Sequence, residues 1–168
     1  ATFNVSMEGD NYVAVGQEPK GDELFDALAA DGNPQIKNIA EIIQRVRPDI
    51  ILLNEFDYTA DCEKGVLSFI KKYLRQSQQE LEPIDYPYFY TNAVNTGVDS
   101  GLDLDQDGLA SGTQDDAFGF GKYPGQYGMV LLSRYPIDVA QVRTFQHFLW
   151  KDMPDNLLTG IKDELGKP

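Results

Sequence analysis

Glu55 closes the run Ile50-Ile51-Leu52-Leu53-Asn54-Glu55, and a carboxylate at the end of so apolar a segment is the first candidate for chemistry in this chain. Ligands of parallel α/β sheets collect beyond the carboxyl ends of the strands. Asn4, within the short segment 2–7 (TFNVSM), brings an amide to the same edge if the two segments are neighbouring parallel strands. One carboxylate and one amide oxygen suit a hard cation such as Mg²⁺ (or Mn²⁺), which takes oxygen ligands and draws few of them from protein. The competing explanation is a solvated strand end at Glu55 and an Asn4 that satisfies backbone. Spacing alone leaves both open.

Three further groups carry chemical potential. Asp103-Leu104-Asp105-Gln106-Asp107-Gly108 reads as the opening of a calcium loop, with alternating Asp and a Gly sixth for the sharp turn. Asp103, Asp105 and Asp107 are therefore candidate Ca²⁺ ligands. The twelfth position holds Gln114, not Glu, but the adjacent Asp115 and Asp116 could substitute. A solvated acidic loop is the alternative. Asp57, Asp61 and Glu63 follow Glu55 closely, and acids at one edge repel a polyanion and attract cations. Asp61 also suits the N-cap of a helix behind it. Aromatic residues cluster at Tyr86, Tyr88, Phe89 and Tyr90 and again at Phe118, Phe120, Tyr123 and Tyr127. Without interleaved Arg or Lys they read as packing more than as stacking platforms.

These residues need elements to position them. Segment 2–7 is a short strand. Leu24, Phe25 and Leu28 suggest a helical turn. Asn33-Pro34 opens the main helix, with Asn as N-cap and Pro at the first position. Ile36, Ile39, Ala40, Ile43 and Val46 (or Arg47) then follow a single buried stripe. Pro48 ends the helix, and residues 50–53 form a strand covered on both faces. A second helix is expected over 63–75, burying Val66, Leu67, Ile70 and Leu74. Segments 86–94 and 128–135 read as strands, and 139–148 alternates well enough to form a neighbouring strand. Residues 162–168 are polar, with no closing element.

Length and composition bound the rest. The 168 residues suit one domain with a substantial core, carrying an acidic Gly/Asp-rich insertion loop over 95–126. A net charge of −13, from 27 acids against 14 bases, argues against a partner held by phosphate-backbone neutralisation. Cys62 is the only cysteine, so no intrachain disulfide forms. No apolar run approaches the roughly 20 residues of a membrane span. Acidity and a start at Ala1 lean towards an exported protein, periplasmic or extracellular.

Three blocks together carry a family resemblance: Phe3-Asn4-Val5, the segment from Pro48 to Glu55, and Gly125-Gln126-Tyr127-Gly128-Met129-Val130-Leu131-Leu132-Ser133-Arg134-Tyr135-Pro136-Ile137. In order and separation they resemble the endonuclease/exonuclease/phosphatase superfamily. That resemblance implies an α/β fold, part of a four-layer α/β sandwich (deoxyribonuclease-I-like), with a mixed sheet and flanking helices. It also implies metal-dependent hydrolysis of phosphoesters. Asn4 is similar to the family's strand-one Asn, which contacts the phosphate and metal region, and Glu55 is similar to its metal-binding Glu. Tyr127 lies inside the third block and is a candidate substrate contact.

The chain resembles only the N-terminal portion of the family's domain. Nothing matches the family's catalytic His, its Asp-x-Asn pair or its terminal Asp-His. His147, the only histidine, sits in an aromatic segment and reads as a packed or partly exposed residue. The chain as it stands is expected to lack a base and to be inactive. Asp57 occupies a position that is basic in some nuclease relatives, which favours a small phosphomonoester or phosphodiester over nucleic acid. The alternatives are a non-catalytic binding module with a calcium-ordered loop, and a chain that self-associates through uncovered strand edges.

Overall fold

A computed structural model describes residues 1–157; the polar tail at 162–168 lies outside them. Four strands, β1 (Thr2–Met7), β2 (Ile50–Phe56), β3 (Tyr88–Thr91) and β4 (Met129–Ser133), form one sheet in the order β1-β2-β4-β3. β1 and β2 run parallel, while β4 runs antiparallel to both β2 and β3. The sheet is mixed and the fold is α/β, as the resemblance implied. β1 and β2 are joined through α1 (Glu23–Ala30) and α2 (Pro34–Val46). A crossover helix is what a parallel pair requires.

α1 and α2 pack on one face of the sheet. Val5 and Met7 of β1, Ile51 and Leu53 of β2, and Val130 and Leu132 of β4 point into a single core with Leu24, Leu28, Ile36, Ile39 and Ile43. α2 starts as its sequence dictates: Asn33 Oδ1 accepts from the amides of Gln35 (2.9 Å) and Ile36 (3.3 Å), and Pro34 takes the first turn. Val46 departs from the expected stripe, being 64 % exposed, and Gln44 is buried in its stead. The cause is polar. Gln44 Nε2 donates to the carbonyls of Leu74 (3.0 Å) and Gln76 (2.7 Å), and its Oε1 accepts from Gln78 N (3.0 Å), sealing a chain reversal that no helix ladder satisfies.

The expected helix at 63–75 is shorter. It appears as α3 (Val66–Phe69) running into a π-turn over Ile70–Leu74, and it buries Phe69 and Tyr73 where Leu67 was expected. Asp61 Oδ1 accepts from Glu63 N (3.1 Å), so it caps the turn that leads into the helix, one turn earlier than anticipated. Segment 139–148 is not a strand. It holds a 3-10 turn at Val139–Gln141 and then irregular chain, because it runs outside the sheet ladder with Val139 and Phe145 exposed. His147 lies in that segment and is exposed.

The opposite face of the sheet is apolar and open. Ile50, Met129 and Tyr88 are exposed there, and Leu52 and Leu131 are half-buried. An open groove of about 730 Å³ follows this face, lined among others by Leu52, Tyr90, Met129, Leu131 and Phe145. No helix among the described residues is long and apolar enough to cross a membrane.

Candidate metal centre at a sheet bulge

β1 and β2 pair regularly from Thr2↔Leu52 to Asn4↔Asn54 and then slip: the next pair is Met7↔Phe56. Val5 and Ser6 therefore stand opposite one residue, Glu55. A bulge of this kind re-aims side chains and is common beside functional sites. Its backbone is unusual on both strands, since Ser6 (φ 46°) and Glu55 (φ 56°) lie in the left-handed region. Residues without glycine's freedom occupy that region only when their surroundings hold them there. The Ser6 carbonyl accepts from Asn11 Nδ2 (2.7 Å) and from Gln35 Nε2 (2.8 Å), and these two amides lock the kink.

The kink brings the predicted pair together. Ser6 N donates to Asn4 Oδ1 at 3.0 Å, and Ser6 Oγ lies 3.4 Å from that atom and 3.3 Å from Glu55 Oε2. Ser6 thus bridges Asn4 and Glu55, a role that inspection of residue types does not reveal. Glu55 is half-buried, and one long hydrogen bond leaves its carboxylate under-satisfied. Every donor atom here is oxygen, the chemistry a hard divalent cation takes. The residues fit such an ion.

Asp57, two residues on, has the opposite fate. It is 2 % exposed. Oδ1 accepts from Tyr127 N (3.1 Å); Oδ2 accepts from Gly9 N (2.9 Å) and from the Tyr123 hydroxyl in a short bond. Burial pushes its carboxyl up to about 7, against the downward pull of these three donors and with a smaller upward push from Glu8. Burial also raises the Tyr123 hydroxyl well above the usual phenol range, helped by the neighbouring Asp57. Asp57 is therefore not part of an exposed acidic rim, contrary to the reading that counted it among charges facing a substrate.

The acids around this edge are balanced unevenly. Gln126, wholly buried, donates from Nε2 to Glu8 (3.1 Å) and Asp10 (3.2 Å). Lys122 Nζ pairs with Asp10 (2.8 Å) and Glu18 (2.9 Å), which hold its ammonium above the ordinary lysine range. Tyr127 also has a left-handed backbone (φ 55°) and is half-buried. Its phenol is raised by burial first, then by Glu8 and Asp10, with Glu55 contributing less. Its ring borders the open groove beside Met129. Tyr127 therefore borders that groove and lies within electrostatic reach of Glu55.

The insertion over 95–126 is ordered against this edge. The Tyr123 hydroxyl and Lys122 reach Gly9, Asp57 and Asp10, and within the insertion Gly97 is tightly placed: its φ is 69°, and a Cβ there would lie 1.9 Å from the Tyr123 carbonyl. Carboxylate oxygens of Asp103, Asp105 and Asp116 converge within 4.8 Å of one another. Asp116 takes the place expected of Asp107, consistent with its proximity to the twelfth loop position. Asp116 is 2 % exposed and accepts from Leu104 N (2.7 Å) and Ser111 N (2.8 Å), and those two amides lower its carboxyl, Ser111 first. Asp107 instead serves the loop's own turns, its amide donating to Asp103 (3.1 Å) and Asp105 (3.0 Å).

A sequence model described as the Endonuclease/Exonuclease/phosphatase family matches residues 1–168. No curated protein and no solved structure matches the chain.

Proposed function

The chain belongs to the endonuclease/exonuclease/phosphatase family, and within it we propose a metal-dependent phosphoesterase that acts on a small phosphomonoester or phosphodiester. One observation carries the metal assignment: the bulge that gathers Asn4, Ser6 and Glu55 at one edge. Glu55 holds Mg²⁺ or Mn²⁺, with the Ser6 hydroxyl beside it. Bound there, the ion supplies polarisation of a phosphoryl oxygen and charge neutralisation at the leaving oxygen.

Asn4 has a second task. Its Oδ1 is engaged by Ser6 N, and the exposed side chain keeps Nδ2 as a donor for a phosphoryl oxygen. Tyr127, beside Glu55, borders the substrate. The preference for a small substrate follows from charge. Lys122, a cation at this edge, is already paired with two acids, and the chain carries −13 overall. A long polyanion would meet repulsion with no basic track to follow. A base has to activate water, and His147, exposed outside the sheet, shares no hydrogen bond with Glu55 or Asn4.

The test is a Mn²⁺ titration of the chain and of Glu55→Gln. Loss of one site in the variant supports the assignment, and unchanged binding refutes it. The competing reading, a non-catalytic module ordered by Ca²⁺, draws on the Asp103, Asp105 and Asp116 convergence. It predicts Ca²⁺ binding that Glu55→Gln leaves intact, with no Glu55-dependent ion at all.

A further inference from the structure

Asp57 is buried, fully hydrogen-bonded and unused by the chemistry proposed above. Its three donors come from three separate segments: Gly9 after β1, Tyr123 in the insertion, and Tyr127 in the turn before β4. Its own amide donates to Met7 O at 3.0 Å, just past the bulge. Gly9 N also donates to the Tyr123 hydroxyl at 2.7 Å, so the knot is closed on itself.

Tyr127 and Glu55 both lie in the left-handed region, and neither is glycine. Such a conformation persists only where it is over-determined. For Tyr127 the holding contact is its amide on Asp57 Oδ1. For Glu55 it is the pair of anchors around the bulge, Ser6 on one strand and Asp57 two residues along its own.

We propose that Asp57 is a positioning residue: its carboxylate fixes the Tyr127 turn and the loop after β1 relative to Glu55, and through them sets the geometry of the metal edge. The metal part of this inference rests on the reading of Glu55 given above. The clamp itself is a matter of hydrogen bonds and stands or falls separately. Asp57→Asn is the informative variant, because an amide keeps the shape but presents only one acceptor oxygen to two backbone donors on opposite sides. Tyr123→Phe is its control, since it removes the hydroxyl and leaves both Asp57 oxygens for Gly9 N and Tyr127 N.

Hydrogen exchange of the metal-free protein reads the clamp, and Mn²⁺ titration reads the site, with Glu55→Gln defining which part of the binding belongs to Glu55. In Asp57→Asn the amides of Gly9 and Tyr127 exchange about tenfold faster or more, and the Glu55-dependent affinity falls about tenfold, the usual scale for support of a metal ligand. In Tyr123→Phe melting temperature drops while exchange of the Tyr127 amide and the Glu55-dependent affinity stay close to wild type. Unchanged exchange, or unchanged Glu55-dependent affinity, in folded Asp57→Asn overturns the proposal. So does a loss of affinity in Tyr123→Phe as large as in Asp57→Asn, which would tie the effect to stability alone. Should Asp57→Asn not fold, the wild-type protein decides: free exchange of the Gly9 and Tyr127 amides overturns the clamp. If Glu55→Gln keeps every Mn²⁺ site, the metal reading fails, and the exchange data still judge Asp57.

Discussion

Glu55 and Asp57 leave the same strand end two residues apart and meet opposite environments. Glu55 is half-buried with one hydrogen bond at 3.3 Å, whereas Asp57 is 2 % exposed and accepts three. The left-handed turn at Glu55 separates them. On the function proposed above, Glu55 is the carboxylate for an ion, while Asp57 accepts from the loops around it.

Ser6 should matter to that ion without being indispensable. Glu55→Gln is expected to abolish one Mn²⁺ site, while Ser6→Ala weakens it about fivefold, the equivalent of a hydrogen bond worth about 1 kcal/mol. Isothermal calorimetry separates the two, and equal losses in both variants would contradict this ranking.

Ca²⁺ binding to the insertion should depend on Asp116 more than on Asp107. Asp103→Asn and Asp116→Asn are expected to weaken binding about tenfold or more, because calcium affinity follows ligand charge count. Asp107→Asn should shift it little. A Ca²⁺ isotherm abolished by Asp107→Asn alone would show that the loop rearranges around the ion.

Turnover is expected to be separable from ion binding. Residues 1–168 contain one histidine, exposed and outside the sheet. The chain by itself should bind Mn²⁺ yet hydrolyse bis(4-nitrophenyl) phosphate no faster than the buffer does. Glu55-dependent hydrolysis by these residues alone would reveal a base other than histidine.

Stability should fall with pH where Asp57 titrates. Its folded carboxyl is raised from 3.8 to about 7, so between those values the folded protein holds a proton that the unfolded chain releases. The contribution is complete below about pH 4 and lost as pH rises through about 7. Urea midpoints of wild type, less those of Asp57→Asn, should decline across that window; a flat difference would contradict the assignment.

Gln44 should outweigh Val46 in α2. Gln44→Leu strands the Leu74 and Gln76 carbonyls and the Gln78 amide, at a cost of about 2–3 kcal/mol. Val46→Ala, at an exposed position, should stay within about 0.5 kcal/mol. Urea unfolding gives both numbers directly.

These residues also mark how far the sequence could be read. β1, the Asn33-Pro34 start of α2 and the apolar run of β2 were legible because capping and strand burial are local matters. That Asn4 and Glu55 share one edge was legible because their segments pair in parallel. Val46 and Gln44 were misassigned because helical periodicity ranks apolar side chains and is blind to a buried amide that serves a distant loop. The alternation at 139–148 resembled a strand, but alternation describes a face and cannot supply a partner. Asp116 and Asp57 were both singled out, but their hold on backbone amides was not, because those amides are distant along the chain or are placed only by the fold. Ser6 was hidden deepest, since its bridging role exists only through the slip in register.

That slip makes the site depend on chain length as well as on residue type. Val5 and Met7 both belong to the core, and the extra residue Ser6 lets them do so across a break in the ladder. Delete Ser6 and they become neighbours, which a strand points to opposite faces. Either Met7 would leave the core or everything before it would turn over, carrying Asn4 away from Glu55. This edge should therefore accept many single substitutions while rejecting the insertion or deletion of even one residue, in nature and in engineered variants alike.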